Sequence, residues 1–326
     1  MTRYVVSLRP TGLGDRLICL VGAWIFARNT GRTLIVDWRG SLYSREQREN
    51  IFSLCFANTD DLAGVPLIVA DDADAHSLPR PVFPDHWDRD DLPAEPWRGP
   101  KEDSFDLRDQ QIAVIRSGAD IAAPTVVLNT CINDGVSSFA DAHRCLEALK
   151  PVPAIAAAVE DFYRDELAGR PVIGLHIRHG NGGNILAHGR YWRSFGQGID
   201  RCRQAVMTAR ARIGAEAPVF LCTDSLKVEI AIRKVIPNVV TRAKAFRPPG
   251  RGELQYGPAA HAGLEDALAE MLLLARCNVL IRYPPASFFS FLAAVLKPSA
   301  MPDVEAVETL AQPFDPKDPL SCAVLF

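Results

Sequence analysis

The residues best suited to chemistry lie in VIGLHIRHGNGGN, at positions 172–184. An apolar strand pattern ends there in a polar cluster of His176, Arg178, His179 and Asn181, with glycines at 180, 182 and 183. The guanidinium of Arg178 carries a fixed charge in a fork that suits a diphosphate, and glycines let the backbone approach a ligand closely. The pattern predicts an anion site at a strand end. The structural alternative is that Arg178 pairs with a carboxylate at a domain interface.

The triplet Arg178-His179-Gly180 also matches the RHG of histidine phosphatases, in which the histidine accepts the phosphoryl group. In that family the motif follows the first strand of the domain. Here it follows about half a protein of organised α/β sequence. A phosphohydrolase with His179 as nucleophile therefore stays open as an alternative function.

Other polar residues also come at the ends of predicted strands. PTGLGD at 10–15 brings Gly12 and Gly14 to a turn before a helix, but Leu17 replaces the third glycine of a dinucleotide fingerprint. Asp37 follows the second strand, at the position where an NAD site would have its ribose-binding acid. An NAD site therefore stays open as an alternative. Two other interpretations of PTGLGD stay open. It is either a tight turn without a ligand, or a glycine turn that lets a phosphate-bearing ligand approach the helix N-terminus.

Three further positions belong to the same group of candidates. Asp224 ends the strand of LCTDS, and the Ser225 that follows it can cap the next helix. Glu270 lies on an otherwise apolar helix face, where it is either a hydrogen-bond acceptor for a base or ribose or a solvated carboxylate. Ser287 of PPAS precedes another helix and forms a second possible anion site.

Strand and helix patterns alternate along the chain, which predicts parallel sheets covered on both faces. We expect two doubly wound halves, at 1–150 and 151–300, with a tail at 301–326 that packs back on the first half. Ligands of such folds bind beyond the carboxyl ends of the strands, here in the cleft between the halves. Short strands are predicted at 112–115 and 125–128, and the Pro- and Asp-rich stretch 71–110 is either functional or mobile.

Composition narrows the class of protein. The net charge of −3 over 326 residues gives no reason to expect a nucleic-acid partner. The eight cysteines form no CxxC pair, so we expect buried, reduced thiols and no zinc site. No apolar stretch reaches about 18 uninterrupted residues, and the N-terminus lacks a signal-peptide core, which predicts a cytoplasmic protein without stable membrane insertion.

Six segments together resemble the bacterial nodulation fucosyltransferases of the NodZ type, relatives of the core α-1,6-fucosyltransferases. These segments are YVVSLRPTGLGD, TLIVDWRGS, VIGLHIRHGNG, VFLCTDS, MLLLARC and IRYPPAS. They occur in the same order over nearly the whole chain, and HxRHGNG is the most specific of them. The resemblance implies an α/β GT-B fold, in which two Rossmann-like domains face each other across a cleft and the C-terminal one holds most of the nucleotide sugar.

The resemblance also implies a reaction. L-Fucose would be transferred from GDP-β-L-fucose, with inversion, to the 6-hydroxyl of an N-acetylglucosamine in a chitin oligosaccharide or lipochitooligosaccharide-like acceptor. The N-terminal domain would bind the acceptor. Neither a cofactor nor a metal is expected, because enzymes of the implied fold usually need no metal.

Residue roles follow from matching motif positions. Arg178 would stabilise the charge on the departing β-phosphate, and His176 would contact the base or ribose. His179 and Asn181 would assist at the diphosphate or fucose, and Glu270 would read guanine N–H groups. Asp224 and Ser287 complete the donor site, and Gly12 and Gly14 allow close approach from the N-terminal half.

The sequence departs from the family pattern after the motif. Acidic residues are expected there, whereas this chain has Gly183, Asn184 and Ile185. His188 is the nearest titratable side chain, and we take it and Asp37 as the candidate general bases. The missing acids also leave open a catalytically inactive GDP-sugar-binding protein.

Overall fold

The computed structural model describes residues 2–9, 11–40, 43, 49–70, 78–85, 105–129, 139–179, 194–246, 260–283, 287–297 and 323–325, with only the backbone at 105–109, 139, 260 and 323–325. The chain divides into two units, Met1–Pro153 with Gly257–Glu265, and Ala154–Tyr256 with Asp266–Phe326. The sequence predicts this division at 150. It does not anticipate that 257–265 belongs with the first unit.

The first unit contains a mostly parallel sheet with strand order β3-β4-β2-β1-β6-β5, in which the β3–β4 pair is antiparallel and the other pairs are parallel. Its elements are β1 (Tyr4–Ser7), α1 (Leu13–Thr30), β2 (Thr33–Val36), α2 (Phe52–Cys55), β3 (Asp61–Leu62), β4 (Val65–Val69), β5 (Val82–Phe83), α3 (Phe105–Ser117), β6 (Thr125–Leu128) and α4 (Phe139–Glu147).

The α1 helix lies at the centre of this unit and is buried almost all round. Apolar residues cover more than one face of it, as expected of a helix enclosed by other elements. The helix begins after Gly12 and ends at Gly31, whose φ of 64° is the left-handed conformation that glycine adopts most easily.

The predicted strand at 112–115 is wrong, because these residues lie inside the α3 helix. The apolar residues Ile112 and Ile115 are both buried. They are three positions apart and so share one face of a helix. A short β-branched run is ambiguous between a strand and a buried helix segment, and here the helix forms.

The second unit also has a mostly parallel sheet, with strand order β11-β10-β7-β8-β9 and an antiparallel β10–β11 pair. Its elements are α5 (Pro153–Phe162), a π-helical turn (Tyr163–Leu167), β7 (Ile173–Ile177), α6 (Phe195–Ile213), β8 (Val219–Thr223), α7 (Leu226–Val235), β9 (Val239–Val240), α8 (Ala260–Leu274), β10 (Val279–Tyr283), α9 (Phe288–Val295) and β11 (Ala323–Leu325). The residues of α8 up to Glu265 belong with the first unit, and the rest of the helix belongs with the second.

The end of the chain differs from the prediction. Ala323–Leu325 pair with β10 of the second unit, whereas the sequence predicts a tail that packs on the first half. An antiparallel edge strand on an otherwise parallel sheet is common in doubly wound folds.

Gly174 lets the end of α8 approach β7 closely. A Cβ at this position would lie 3.0 Å from Cys277 Sγ and 3.0 Å from a methyl of Leu274. These distances are tighter than ordinary van der Waals contact, so a larger residue would push the two elements apart. The missing side chain thus helps to set the position of α8, which carries Glu270.

None of the helices in the described ranges combines the length and apolarity needed to cross a bilayer. The cysteines that the structure describes, at 19, 55, 145, 202, 222 and 277, are buried and unbridged.

Candidate active site

Several predicted site residues meet at the carboxyl edge of the second sheet. The last residues of three parallel strands are in register, with Ile177 of β7 paired to Thr223 of β8 and to Tyr283 of β10. Residues that follow these strands are therefore neighbours. Arg178 comes directly after β7 and Asp224 directly after β8, and the two side chains are in contact.

Asp224 fixes the orientation of Arg178. Its Oδ2 lies 2.6 Å from Arg178 Nη1, and its Oδ1 accepts a 2.8 Å hydrogen bond from the backbone N–H of His179. The Arg178 side chain is 27% exposed and that of Asp224 is 11% exposed. The guanidinium is therefore both held in place and accessible to an anion. The predicted alternative of a carboxylate partner is also present, but that partner lies within the second unit.

His176 lies beneath this pair as a buried, neutral imidazole. Its ring packs on Phe289, with 4.9 Å between ring centroids. Burial is the main reason that the pKa of His176 falls to about 3; Asp224 opposes this shift, and the charges of Arg178, Lys244 and Arg282 add to it. Its Nδ1 has no hydrogen-bond partner among the described residues. Buried polar atoms are nearly always hydrogen-bonded, so this nitrogen can form a hydrogen bond with a bound ligand.

His179 follows Arg178 directly and is partly buried. Its ring meets Phe195 edge-on at 5.5 Å between centroids, and the Lys227 ammonium lies 4.2 Å from the centroid of the same Phe195 ring. Burial and the Lys227 charge lower the pKa of His179, while Asp224 opposes them. The imidazole is thus neutral at neutral pH, beside the charged Arg178.

Glu270 is buried on α8 and is not solvated. Its Oε1 lies 2.6 Å from the ammonium of Lys244, which is equally buried. Burial raises the pKa of Glu270, and Lys244 partly offsets this rise. Sequence reasoning missed Lys244. Its signal was the alternation of Arg242 and Lys244 two residues apart, directly before a Pro- and Gly-rich stretch.

Ser287 precedes α9 and lies near the end of β10. Its hydroxyl accepts no capping hydrogen bond from α9 in the described part of the chain. Both the hydroxyl and the N–H groups of the first turn therefore remain available to an anion at this helix N-terminus.

The remaining predicted residues of the described chain lie in the first unit. Gly12 is the extended residue before α1, while Gly14 lies inside the first turn of that helix and not in the predicted turn. Asp37 follows β2, and both of its oxygens accept hydrogen bonds from Arg39, at 2.9 and 2.7 Å. The carboxylate is therefore occupied by an ion pair.

Arg16 is a second feature of the first unit that sequence reasoning missed. Its guanidinium is completely buried, Nε donates to the carbonyl of Thr11 at 2.9 Å, and the group lies 5.7 Å from the centroid of the Trp38 ring. Neither Nη of Arg16 nor the Nε1 of Trp38 finds a hydrogen-bond partner among the described residues. Burial lowers the pKa of Arg16 to about 10.

Two predicted site residues, Asn181 and His188, lie outside the described residues. Among the residues that the structure does describe, no group of three or more His, Cys, Asp or Glu side chains could hold a metal ion.

Comparison with known proteins identifies the family. The family model for nodulation protein Z matches residues 1–307. The chain belongs to the nodulation protein Z family. It is 39% identical to nodulation protein Z of Bradyrhizobium diazoefficiens over 298 residues, covering 91% of this chain and 80% of that protein. It is 34% identical to the Sinorhizobium fredii protein, covering 91% of each chain.

The crystal structure of fucosyltransferase NodZ from Bradyrhizobium matches this family member with a TM-score of 0.76 and 32% identity, covering 91% of this chain and 94% of that one. A structure of NodZ α-1,6-fucosyltransferase co-crystallized with GDP matches equally well, at 91% and 93% coverage. The fold of the POFUT1 apo-form is also similar, with a TM-score of 0.54 at 13% identity and coverage of 90% and 94%. The resemblance and the α/β GT-B fold expected from the sequence are both confirmed.

Proposed function

We propose that this protein transfers L-fucose from GDP-β-L-fucose to the 6-hydroxyl of an N-acetylglucosamine, with inversion, in a chitin oligosaccharide or lipochitooligosaccharide-like acceptor. The observation that carries this proposal is the accessible guanidinium of Arg178, held by Asp224 at the carboxyl edge of the second sheet. It is supported by family membership. Members of the family include NodZ α-1,6-fucosyltransferase, whose structure has been determined after soaking with GDP-fucose.

In the proposed reaction the acceptor oxygen attacks C1 of fucose while the bond from C1 to the β-phosphate oxygen breaks. Negative charge grows on the departing GDP, and the acceptor proton passes to a base. Arg178 meets the growing charge on the β-phosphate. Preorganised charge of this kind is worth on the order of 10²–10³ in rate. Because an arginine supplies it, we propose that no metal is needed, and activity should persist in EDTA.

The donor site extends across the same sheet edge. His176 offers a neutral Nδ1 to the ribose or base, and Glu270 offers carboxylate oxygens to guanine N–H groups. Ser287 and the first turn of α9 meet the phosphates together with His179 and Asn181. Gly12 and Gly14 contribute close approach from the first unit, which we assign to the acceptor.

His188 and Asp37 remain the candidate bases. Both oxygens of Asp37 accept hydrogen bonds from Arg39, so this ion pair would have to open before Asp37 could take a proton. We place the reaction in the cytoplasm, where buried thiols such as those of this chain stay reduced.

Arg178→Ala tests the proposal. Transfer of fucose to chitin oligosaccharides would be followed by mass spectrometry, and GDP binding by calorimetry. We expect transfer to fall at least 10²-fold and GDP to bind more weakly. Arg276→Ala is the matched control, because Arg276 is similarly exposed, belongs to the same unit and pairs with Glu160 away from the sheet edge.

Normal turnover in Arg178→Ala would remove this residue from the mechanism. GDP binding by the wild-type protein with neither transfer nor hydrolysis of GDP-fucose would instead favour the inactive binding protein. Release of phosphate from small phosphoesters, with a trappable phosphohistidine at His179, would favour the phosphohydrolase.

A further inference from the structure

Two ion pairs connect α8 to the segment that follows β9. Arg242 lies 3.5 Å from Asp266, and Lys244 lies 2.6 Å from Glu270. Residues two apart in an extended chain are about 6.6 Å apart, and residues four apart in a helix rise about 6 Å along its axis. The two spacings agree, so the pairs stand side by side as an outer rung, Arg242–Asp266, and an inner rung, Lys244–Glu270.

The two rungs differ in burial. The side chains of Lys244 and Glu270 are 7% and 8% exposed, against 16% and 28% for Arg242 and Asp266. The Lys244 ammonium also lies 5.4 Å from the centroid of the Phe246 ring. A carboxylate as buried as that of Glu270 stays charged only where a cation accompanies it. The inner rung is therefore the pair that determines the protonation state of Glu270.

The inner rung belongs electrostatically to the cluster at the sheet edge. The charge of Lys244 helps to lower the pKa of His176. Burial lowers the pKa of Lys244, but Glu270, Cys222 and Asp224 outweigh that effect and raise it above its ordinary value. The lysine is thus a permanent cation beside the predicted donor site.

We propose that Lys244 is a positioning residue for base recognition, which holds the Glu270 carboxylate ionised and oriented toward the guanine edge of the donor. This inference rests on the proposed guanine role of Glu270. Lys244 engages Oε1, while Oε2 accepts no hydrogen bond from the described residues. Guanine presents N1–H and a 2-amino group on one edge, and only an ionised carboxylate accepts from both.

The charged and titratable groups around Glu270 set the sign of its pH dependence. Lys244 and Arg242 face it from the segment after β9, Asp266 lies one turn earlier on α8, and Cys222 faces it from β8. Burial and Asp266 raise the pKa of Glu270, and the two cations lower it. Removal of Lys244 must raise this pKa further, so guanine recognition should then fail at a higher pH than in the wild type.

The test compares GDP with IDP, which lacks only the 2-amino group, by calorimetry between pH 6 and 8, where the N1–H of both bases stays protonated. The wild type should prefer GDP by about tenfold or more, since hydrogen bonds to charged groups are strong. Lys244→Gln should reduce this preference, and the reduction should be greater at pH 6 than at pH 8. Lys244→Arg should retain the preference, because it restores the charge. Arg203→Gln removes an exposed i,i+3 pair with Asp200 on α6 and is the control.

Lys244→Gln keeps a side chain that donates a hydrogen bond, and circular dichroism establishes that the variant is folded. An unchanged GDP preference at every pH in the folded variant would overturn the proposal. If Lys244→Gln does not fold, Lys244→Arg tests the proposal instead. This variant keeps the positive charge, so a shifted pH profile without the wild-type preference for GDP would also overturn the proposal.

Glu270→Gln separates the two levels of inference. An unchanged GDP preference in this variant would mean that the guanine role of Glu270 itself is wrong. Loss of preference in Glu270→Gln with full preference in Lys244→Gln would leave the role of Glu270 intact and reject that of Lys244.

Discussion

His176 illustrates how burial alone can determine the chemistry of a side chain. The imidazole is enclosed by Phe289 and by neighbouring strands, and burial lowers its pKa to about 3. It therefore stays neutral wherever the protein is folded under ordinary conditions. A neutral ring keeps one nitrogen as a donor and the other as an acceptor, which suits a ribose hydroxyl or a base better than a phosphate.

The same burial predicts a pH dependence of stability. The pKa of His176 in the unfolded state is about 6.5. Below this pH, His176 binds a proton in the unfolded state but not in the folded state. The free energy of unfolding is unaffected by His176 above that value and falls as the pH drops toward 3. From pH 7 to pH 5 we expect a loss of about 2 kcal/mol from this residue. Urea denaturation at both pH values would measure it.

The control is His176→Phe, which preserves a ring against Phe289 but cannot titrate. The difference between pH 7 and pH 5 should shrink by about the same 2 kcal/mol in this variant. Parallel curves for the wild type and the variant would show that His176 does not carry the effect.

Arg16 presents the opposite case, because its cation is buried and neither Nη has a hydrogen-bond partner among the described residues, although the charge of Asp37 acts on it from a distance. Replacement of buried charge by an apolar side chain of similar volume is often neutral or stabilising by about 1–4 kcal/mol. We therefore expect Arg16→Met to keep or raise the free energy of unfolding, measured by urea denaturation. That result would mean that Arg16 is retained for a reason other than stability.

Arg32 serves as the comparison for Arg16. It is equally buried, but its guanidinium donates to Asp120 and to the carbonyls of residues such as Ile121 and Ala123. Arg32→Met should destabilise the protein by at least about 1–3 kcal/mol, because the carbonyls of Ile121 and Ala123 lose their donor. Comparable destabilisation by Arg16→Met would contradict the expectation for that residue.

Elements position the site through close packing as well as through strand order. Gly174 is the point where β7 admits the end of α8, since a Cβ at this position would meet Cys277 and Leu274 at 3.0 Å. We expect Gly174→Ala to destabilise the protein by about 1–3 kcal/mol, because added volume in a packed core must displace its neighbours. The displacement of α8 should also weaken GDP binding through Glu270, which calorimetry would detect.

Gly196→Ala is the matched control for that substitution. Gly196 lies in the first turn of α6, and no atom lies within 4 Å of its added Cβ position. Alanine there should be neutral or slightly stabilising, since it favours the helix. If both alanine variants behave alike, the close approach at Gly174 is not what positions α8.

The order of elements was predictable where the apolar patterns were long and bounded by turns. The strands β7 and β8 lie where the sequence predicts the strands of VIGLHI and LCTDS, and so the neighbourhood of Arg178 and Asp224 follows from parallel pairing. The segment at 112–115 failed because four apolar residues carry too little periodicity to distinguish a strand from one face of α3.

Contacts between side chains are harder to predict from the sequence than the positions of those side chains in the fold. The sequence predicts Asp37 as one of two candidate bases but does not show that Arg39 donates to both of its oxygens. It predicts Glu270 as a ligand acceptor or a solvated carboxylate, and neither prediction includes Lys244, which reaches it from 26 residues earlier in the chain. Contacts of this kind depend on which loop returns to which helix, and hydrophobic periodicity carries no information on that.

At the scale of the whole molecule, two units with separate sheets raise the question of which one the donor nucleotide stabilises. The predicted donor residues Arg178, Asp224 and Glu270 all belong to the second unit. A ligand at about 100 times its dissociation constant stabilises the structure that binds it by roughly 2.7 kcal/mol. Such a gain is large enough to slow amide exchange throughout the elements that hold the ligand.

We therefore expect GDP, without magnesium, to protect amides of β7, β8 and α8 in hydrogen-exchange mass spectrometry, while β1 and β2 of the first unit change little. UDP at the same concentration should protect weakly, because uracil lacks the guanine 2-amino group and its edge does not match Glu270. Equal protection of both sheets would contradict this expectation, since the nucleotide would then not act through the second unit alone. Equal effects of GDP and UDP would place recognition in the diphosphate contacts of Arg178 and remove the base from the account of specificity.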